Sequence, residues 1–137
     1  MQSRFLIRVL FIFFLIPLSV LAEEDPLRSM HQLSNEIYRL SQEMITHGSE
    51  GHPDEIVSYG QEMVRRAEAL IEAVEASPSP KLKEKKKAIL ASLKATLNQA
   101  GEAIRLGEAK KTGPALDAAR KASFRAKQLR QQIQSLK

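Results

Sequence analysis

The sequence predicts an all-α fold, an up-down-up-down four-helix bundle built from two similar αα-hairpins, on three observations. Apolar residues recur in alternating steps of three and four through most of the chain after residue 27, the spacing that lines one face of a helix. Glycine and proline gather at Gly48–Pro53, at the "SPSP" of Ser77–Pro80 and at Gly107–Pro114, where they punctuate helical pattern. The chain also aligns with itself at an offset of 59 residues, pairing Ile45 with Ile104, Gly48 with Gly107, Val57 with Leu116, Ala67 with Ala126 and Leu70 with Leu129. Such internal similarity marks a duplicated unit.

Residues 1–22 read as a segment apart. Arg4 and Arg8 precede an apolar run from Val9 to Leu21, and Val20 and Ala22 are the small residues of a cleavage site before Glu23, the pattern of a secretory signal peptide. Pro17 and Ser19 interrupt the run, which falls short of the ~20 apolar residues that span a bilayer. The expected product is an exported protein, periplasmic or secreted, comprising residues 23–137.

In the first hairpin (about 27–76), Met30, Leu33, Ile37, Leu40 and Met44 form one stripe and Ile56, Gly60, Met63, Ala67, Leu70 and Val74 a second. Gly48 and Gly51 suit a helix end, Pro53 a first turn, and Asp54 and Glu55 the positive end of the following helix. Residues 77–80 form a linker. In the second hairpin (about 81–136) the stripes are Leu90, Leu93, Leu97, Ala100 and Ile104, then Leu116, Ala119, Ala122, Ala126, Leu129, Ile133 and Leu136. Gly107, Thr112, Gly113 and Pro114 repeat the stop and start. Short connections make neighbours antiparallel. Gly60 and Gly101 fall inside helices, where each costs ~1 kcal/mol relative to alanine; close approach of a second helix would offset that cost.

Composition narrows the rest. The 137 residues contain no cysteine, so the chain folds without disulfides whatever its compartment. Beyond residue 22 its aromatics are Tyr38, Tyr59 and Phe124, leaving Leu, Ile, Val, Met and Ala for the core of a modestly stable monomer or weak dimer. The net charge of +5 conceals a strong polarity: residues 23–80 carry twelve acidic and four basic side chains, net −8, and residues 81–137 fifteen basic and four acidic, net +11. The run "KLKEKKK" (Lys81–Lys87) reads first as a solvated helix face; as a binding feature of an exported protein it points to anionic lipid, an anionic envelope polymer or the acidic half of the chain, and away from nucleic acid.

The stretch "THGSEGHPDE" (Thr46–Glu55) holds two of the three histidines. Copper or zinc takes three or four ligands, imidazoles supplemented by carboxylates. His47 and His52 supply two, with Glu50, Asp54 or Glu55 as a third; the same residues equally suit a plain turn. His31 lies sixteen residues before His47, about 24 Å along a helix, and cannot join them. Enzymatic chemistry has little to work with: no thiol, no Glu-x-x-His pair for a di-iron bundle, and no histidine after His52 for a haem ligand on the last helix.

The run "HGSEGHPDEIVSYGQEMVRRAEAL", in a duplicated four-helix chain of this length, resembles the small metal-binding protein family of periplasmic bundles. That resemblance implies an "HGxEGH" turn in each hairpin, further histidines at heptad spacing, and binding of copper and other divalent cations without catalysis. The first turn matches at His47, Gly48, Glu50, Gly51 and His52. The second has Leu106 and Lys111 in the histidine positions, and Leu33, Leu40, Tyr59 and Arg66, with Gln99, Ala118 and Arg125, occupy the heptad positions. The resemblance thus implies a retained scaffold with at most one weak copper or zinc site, at His47, His52, Glu50 and Asp54, with Lys110 and Lys111 near enough to compete for its carboxylates. The other function class in view is an interaction bundle whose basic second hairpin docks on an anionic surface.

Export is expected to remove residues 1–22. Intact mass of the protein recovered from the envelope of an expressing cell should correspond to a chain beginning at Glu23; retention of the apolar run would make the segment an anchor.

Overall fold

The computed structural model describes residues 25–136, so the expected signal segment lies outside the described residues. They form five helices and no strands: α1 (Pro26–Ser49), α2 (Pro53–Ala76), α3 (Pro80–Lys83), α4 (Lys86–Glu108) and α5 (Thr112–Gln134). The fold is all-helical. Each long helix packs on two others, α1 on α2 and α5, and α4 on α5 and α2, around a shared apolar interior. No helix among the described residues is long and apolar enough to cross a membrane.

Local chemistry sets the boundaries. The Asp25 carboxylate accepts the Leu27 N–H at 3.0 Å and Pro26 occupies the first turn of α1, satisfying a donor that a helix start otherwise leaves free. Ser77 and Ser79, each before a proline, are extended, with ψ of 126° and 124°, because the proline ring clashes with a helical predecessor. Only residues 77–79 lie outside helix after α2, one fewer than the expected linker of 77–80, and the third long helix does not follow directly. Pro80 starts the single turn α3, which buries Leu82, and α4 begins only at Lys86. Two lysines are tied at this joint: Lys85 Nζ donates to Ser135 Oγ at 2.8 Å and Lys86 Nζ to the Glu75 carbonyl at 2.9 Å. The ammonium of Lys86 thereby satisfies a carbonyl that the end of α2 leaves open.

The buried face of α2 is Ile56, Gly60, Met63, Ala67, Leu70 and Val74, as the spacing predicts. On α4 it is Ile89, Leu93, Thr96, Ala100, Ala103 and Gly107, one position from the expected row at most places; Leu90, Leu97 and Ile104 are only partly buried. Ile89 and Leu93 bring bulk to the interior, whereas farther along the helix the small Thr96, Ala100, Ala103 and Gly107 sit on the seam and Leu97 and Ile104 flank it. In α1, Ser34 and Ser41 are buried and Leu33 is not. Their hydroxyls donate to the carbonyls of His31 (2.9 Å) and Tyr38 (2.6 Å), and Thr96 donates to the Ser92 carbonyl (2.8 Å), so each of these three buried hydroxyls has a partner. On α5 the expected residues are buried except Leu116, which is partly so; Ala115, Ala118 and Ser123 join them. Gln42 donates to Ser123 and the Arg130 guanidinium lies 4.1 Å from the Tyr38 ring centroid, two links between α1 and α5.

The offset of 59 that aligns the sequence with itself also aligns buried positions of α1 and α4. Buried Met30, Ser34, Ile37, Ser41, Met44 and Gly48 of α1 correspond, at the offset of 59, to buried Ile89, Leu93, Thr96, Ala100, Ala103 and Gly107 of α4. Gly48 and Gly107 mark reciprocal close approaches. A β-carbon at Gly48 would lie 2.9 Å from Ile56 Cδ1 and 3.0 Å from Leu116 Cδ1, and one at Gly107 would lie 2.8 Å from Val57 Cγ2 and 3.0 Å from the Pro53 carbonyl oxygen. Val57 and Leu116 stand at equivalent positions at that offset, so a branched side chain from the same place in each half meets the other half's glycine. Gly60 is likewise filled, with Ile104 Cγ1 2.7 Å from a β-carbon built there, whereas Gly101 faces open space.

Alanine at these glycines should therefore act in opposite directions. Gly107→Ala meets backbone and is expected to destabilise by about 1–3 kcal/mol; Gly101→Ala meets nothing and should stabilise by about 1 kcal/mol through helix propensity. Denaturant melts of the two variants beside wild type give both signs.

Candidate metal centre

The turn between α1 and α2 is made by helix-end hydrogen bonds. The Gly51 N–H donates to the Gly48 carbonyl at 3.1 Å and the His52 N–H to the His47 carbonyl at 2.9 Å, the paired closure of a Schellman motif. Gly51 sits at φ +85°, where a side chain is strained. His52 is the N-cap residue of α2, Pro53 opens the helix, and Asp54 and Glu55 fall in its first turn. This closure brings the last turn of α1 over the first turn of α2 and places His47, Glu50, His52 and Glu55 together.

One ligand atom from each of His47, Glu50 and His52 can be chosen such that all three lie within 4.8 Å of one another. His47 Nδ1 is 2.6 Å from Glu55 Oε2 and 3.3 Å from Glu50 Oε2; His52 Nδ1 is 3.7 Å from Glu50 Oε2 and from Glu55 Oε1. Despite this crowding, His47 Nδ1 is shut off from solvent and makes no aligned hydrogen bond. The His47 ring stacks on Tyr59 at a centroid distance of 5.2 Å and lies 6.3 Å from the His52 ring. Its side chain is 24% exposed against 53% for His52, so His47 is held and His52 is free to swing. A zinc ion at ~2.0–2.2 Å from each donor needs the three atoms somewhat closer than they stand, a gap that rotation of the exposed His52 and Glu50 side chains can close.

Asp54 is not brought into this group. Its carboxylate is 79% exposed and pairs with the Lys110 ammonium from the other hairpin. Glu55 takes its place beside the imidazoles. Two neighbours of His47 were not anticipated from sequence: Tyr59, and Glu43, whose Oε2 is 4.0 Å from His47 Nε2. The i,i+4 spacing of Glu43 and His47 was the available signal for the second; the stacking of Tyr59 depends on the angle between two helices, for which a sequence offers none. His31 lies in the first turns of α1, at the other end of that helix.

The second turn repeats the backbone without the ligands. The Lys110 N–H donates to Gly107 and the Lys111 N–H to Leu106, both at 2.9 Å. At the offset of 59, Leu106, Ala109 and Lys111 stand for His47, Glu50 and His52, and Lys110 stands for Gly51. Lys110 adopts φ +57°, so the turn retains its shape with a side chain in a region that favours glycine. The closure is thus set by helix-end hydrogen bonding and by the glycine contacts beneath it, and needs no ion.

Comparison with protein-family models, with curated proteins and with solved structures finds no match to this chain.

Left-handed backbone at a residue with a β-carbon costs on the order of 1–2 kcal/mol. With the Asp54 pair already removed by Asp54→Asn, Lys110→Gly is expected to raise stability by about 1 kcal/mol. Thermal unfolding of the single and double variants measures it; an unchanged or lowered midpoint in the double variant would show that the second turn relaxes to another closure.

Proposed function

We propose that the protein is a non-enzymatic, exported four-helix bundle of up-down-up-down topology that binds one divalent cation, copper or zinc, weakly at the turn between its first two long helices. The observation that carries the reading is the convergence of one donor atom each from His47, Glu50 and His52 to within 4.8 Å. The resemblance of "HGSEGH" to the turn of small metal-binding proteins supports it. Two imidazoles and a carboxylate meet the donor preference of these borderline ions, and Glu55, beside both histidines, is the reserve carboxylate. Asp54, engaged by Lys110, drops out of the ligand set.

The weakness follows from the same geometry. Three protein donors leave water to complete the shell, His52 and Glu50 lose rotamer freedom on binding, and Lys110 adds positive charge nearby. Protons also compete, since a metal ligand must be a neutral imidazole, so uptake decreases on acidification. At the second turn, Leu106, Ala109 and Lys111 offer no donor to a cation. One site per chain is therefore the expected stoichiometry.

Titration calorimetry with zinc and with copper is the decisive measurement. Wild type should take up one ion, His47→Ala with His52→Ala none, and His31→Ala and Asp54→Asn should retain binding. Saturating metal should also raise the melting temperature of wild type but not of the double-histidine variant, because an ion that binds only the folded chain stabilises it by mass action. Absence of uptake at sub-millimolar metal would leave the stretch as a turn alone.

A further inference from the structure

The internal duplication allows one surface to be compared with its own repeat. In the first hairpin Arg66 Nε lies 3.1 Å from Glu36 and 3.0 Å from Glu62, and Arg65 is bonded to Glu62 as well. The Arg65 hydrogen bond, with the charge of Arg66, holds the Glu62 carboxyl below its usual range. At the offset of 59, Arg66 becomes Arg125, but Glu36 becomes Ala95, Glu62 becomes Lys121, Arg65 becomes Phe124 and Gln61 becomes Arg120. A neutralised network has been replaced by three cations around an aromatic ring. Arg125 reaches only the Gln128 amide oxygen, at 3.4 Å.

These side chains line an open concavity of about 440 Å³ with Gln99 of α4 as its far wall. Phe124 is 59% exposed, the one large apolar side chain so exposed among the described residues. Two carboxylates lie near, and both are engaged: Asp117 with Arg120 at 3.1 Å, and Glu102 with Arg105 at 2.6 Å, with Lys121 adding to the charge it feels. The patch also belongs to the half of the chain with net charge +11.

We propose that the outer face of α5, through Phe124 flanked by Arg120, Lys121 and Arg125, docks on an anionic membrane surface. A soluble polyanion would engage the cations but leave the ring in water. A bilayer interface takes both, the ring entering the boundary of the acyl region while guanidinium and ammonium groups meet headgroup phosphates. The acidic first hairpin then faces away from the surface, which fixes the orientation of the docked molecule. The inference is independent of the metal reading, since the patch lies on other residues.

Co-sedimentation of the full chain with vesicles, in the presence of a chelator, tests it. The readout is the ratio of partition into vesicles of equal parts phosphatidylcholine and phosphatidylglycerol to partition into pure phosphatidylcholine, which cancels any contribution of the apolar Val9–Leu21 run. Each basic side chain at such a surface is worth about fivefold in partition, so Lys121→Gln with Arg125→Gln should lower the ratio about twenty-five-fold, while Lys81→Gln with Lys83→Gln, removing the same charge elsewhere, should lower it far less. The chain contains no tryptophan, so Phe124→Trp provides a single reporter whose emission should shift to the blue on anionic vesicles only. Circular dichroism establishes that each variant is folded. A ratio of one for wild type, an equal loss from the Lys81/Lys83 variant, or an unmoved Trp emission would each overturn the proposal. So would a self-association lost with Lys121 and Arg125, which would make the acidic hairpin of a second copy the occupant.

Discussion

The structure depends on the absence of a side chain at two places. Gly48 and Gly107 sit at the ends of α1 and α4, and each receives a branched side chain from the opposite hairpin, Leu116 at the first and Val57 at the second. Because the contacts are reciprocal, neither hairpin can shift along the other without driving its own branched side chain out of contact or into backbone. Close packing of this kind tolerates little change of volume. It positions everything at this end of the molecule, including the closeness of Lys110 to Asp54 and the overlap of α1 and α2 on which the His47 cluster rests.

Sequence periodicity revealed the four long helices, and for α2 the buried residues individually. On α4 it placed Leu93 and Ala100 correctly and missed by one position at Leu90, Leu97 and Ile104, because spacing favours a large apolar side chain over a small neighbour such as Thr96 or Ala103. Thr96 and Ala103 line the seam; Leu97 and Ile104 flank it. Ser34 and Ser41 were missed for a related reason, since a hydroxyl that donates to its own helix can be buried without a partner across the interface. The break that separates α3 from α4 had no sequence signal beyond the prolines before it.

The candidate site divides in the same way. His47, Glu50 and His52 belong to one local turn, and their convergence was readable from the glycines and proline that shape it. By sequence distance Asp54 and Glu55 are equivalent candidates. The partner of Asp54, Lys110, arrives from 56 residues away; the topology read from sequence brings that lysine near the turn's carboxylates, and the tertiary contact selects Asp54 and leaves Glu55 beside the imidazoles. The two turns share one backbone closure and differ in every candidate ligand, so the fold carries the site without depending on it. Substitution in the His47 cluster is therefore free of the structural penalty that accompanies change at Gly48 or Gly107.

The alanine-lined face of α5 has a thermodynamic consequence. Ala115, Ala118, Ala119, Ala122 and Ala126 are all buried, with Leu129 and Ile133 beyond them, so over its first four turns this helix itself withdraws less hydrocarbon from water than a leucine-lined face would. The heat-capacity increment of unfolding scales with the apolar surface exposed. An alanine-lined seam contributes less to that increment than a leucine-lined one, and to that extent flattens the dependence of stability on temperature and broadens its optimum.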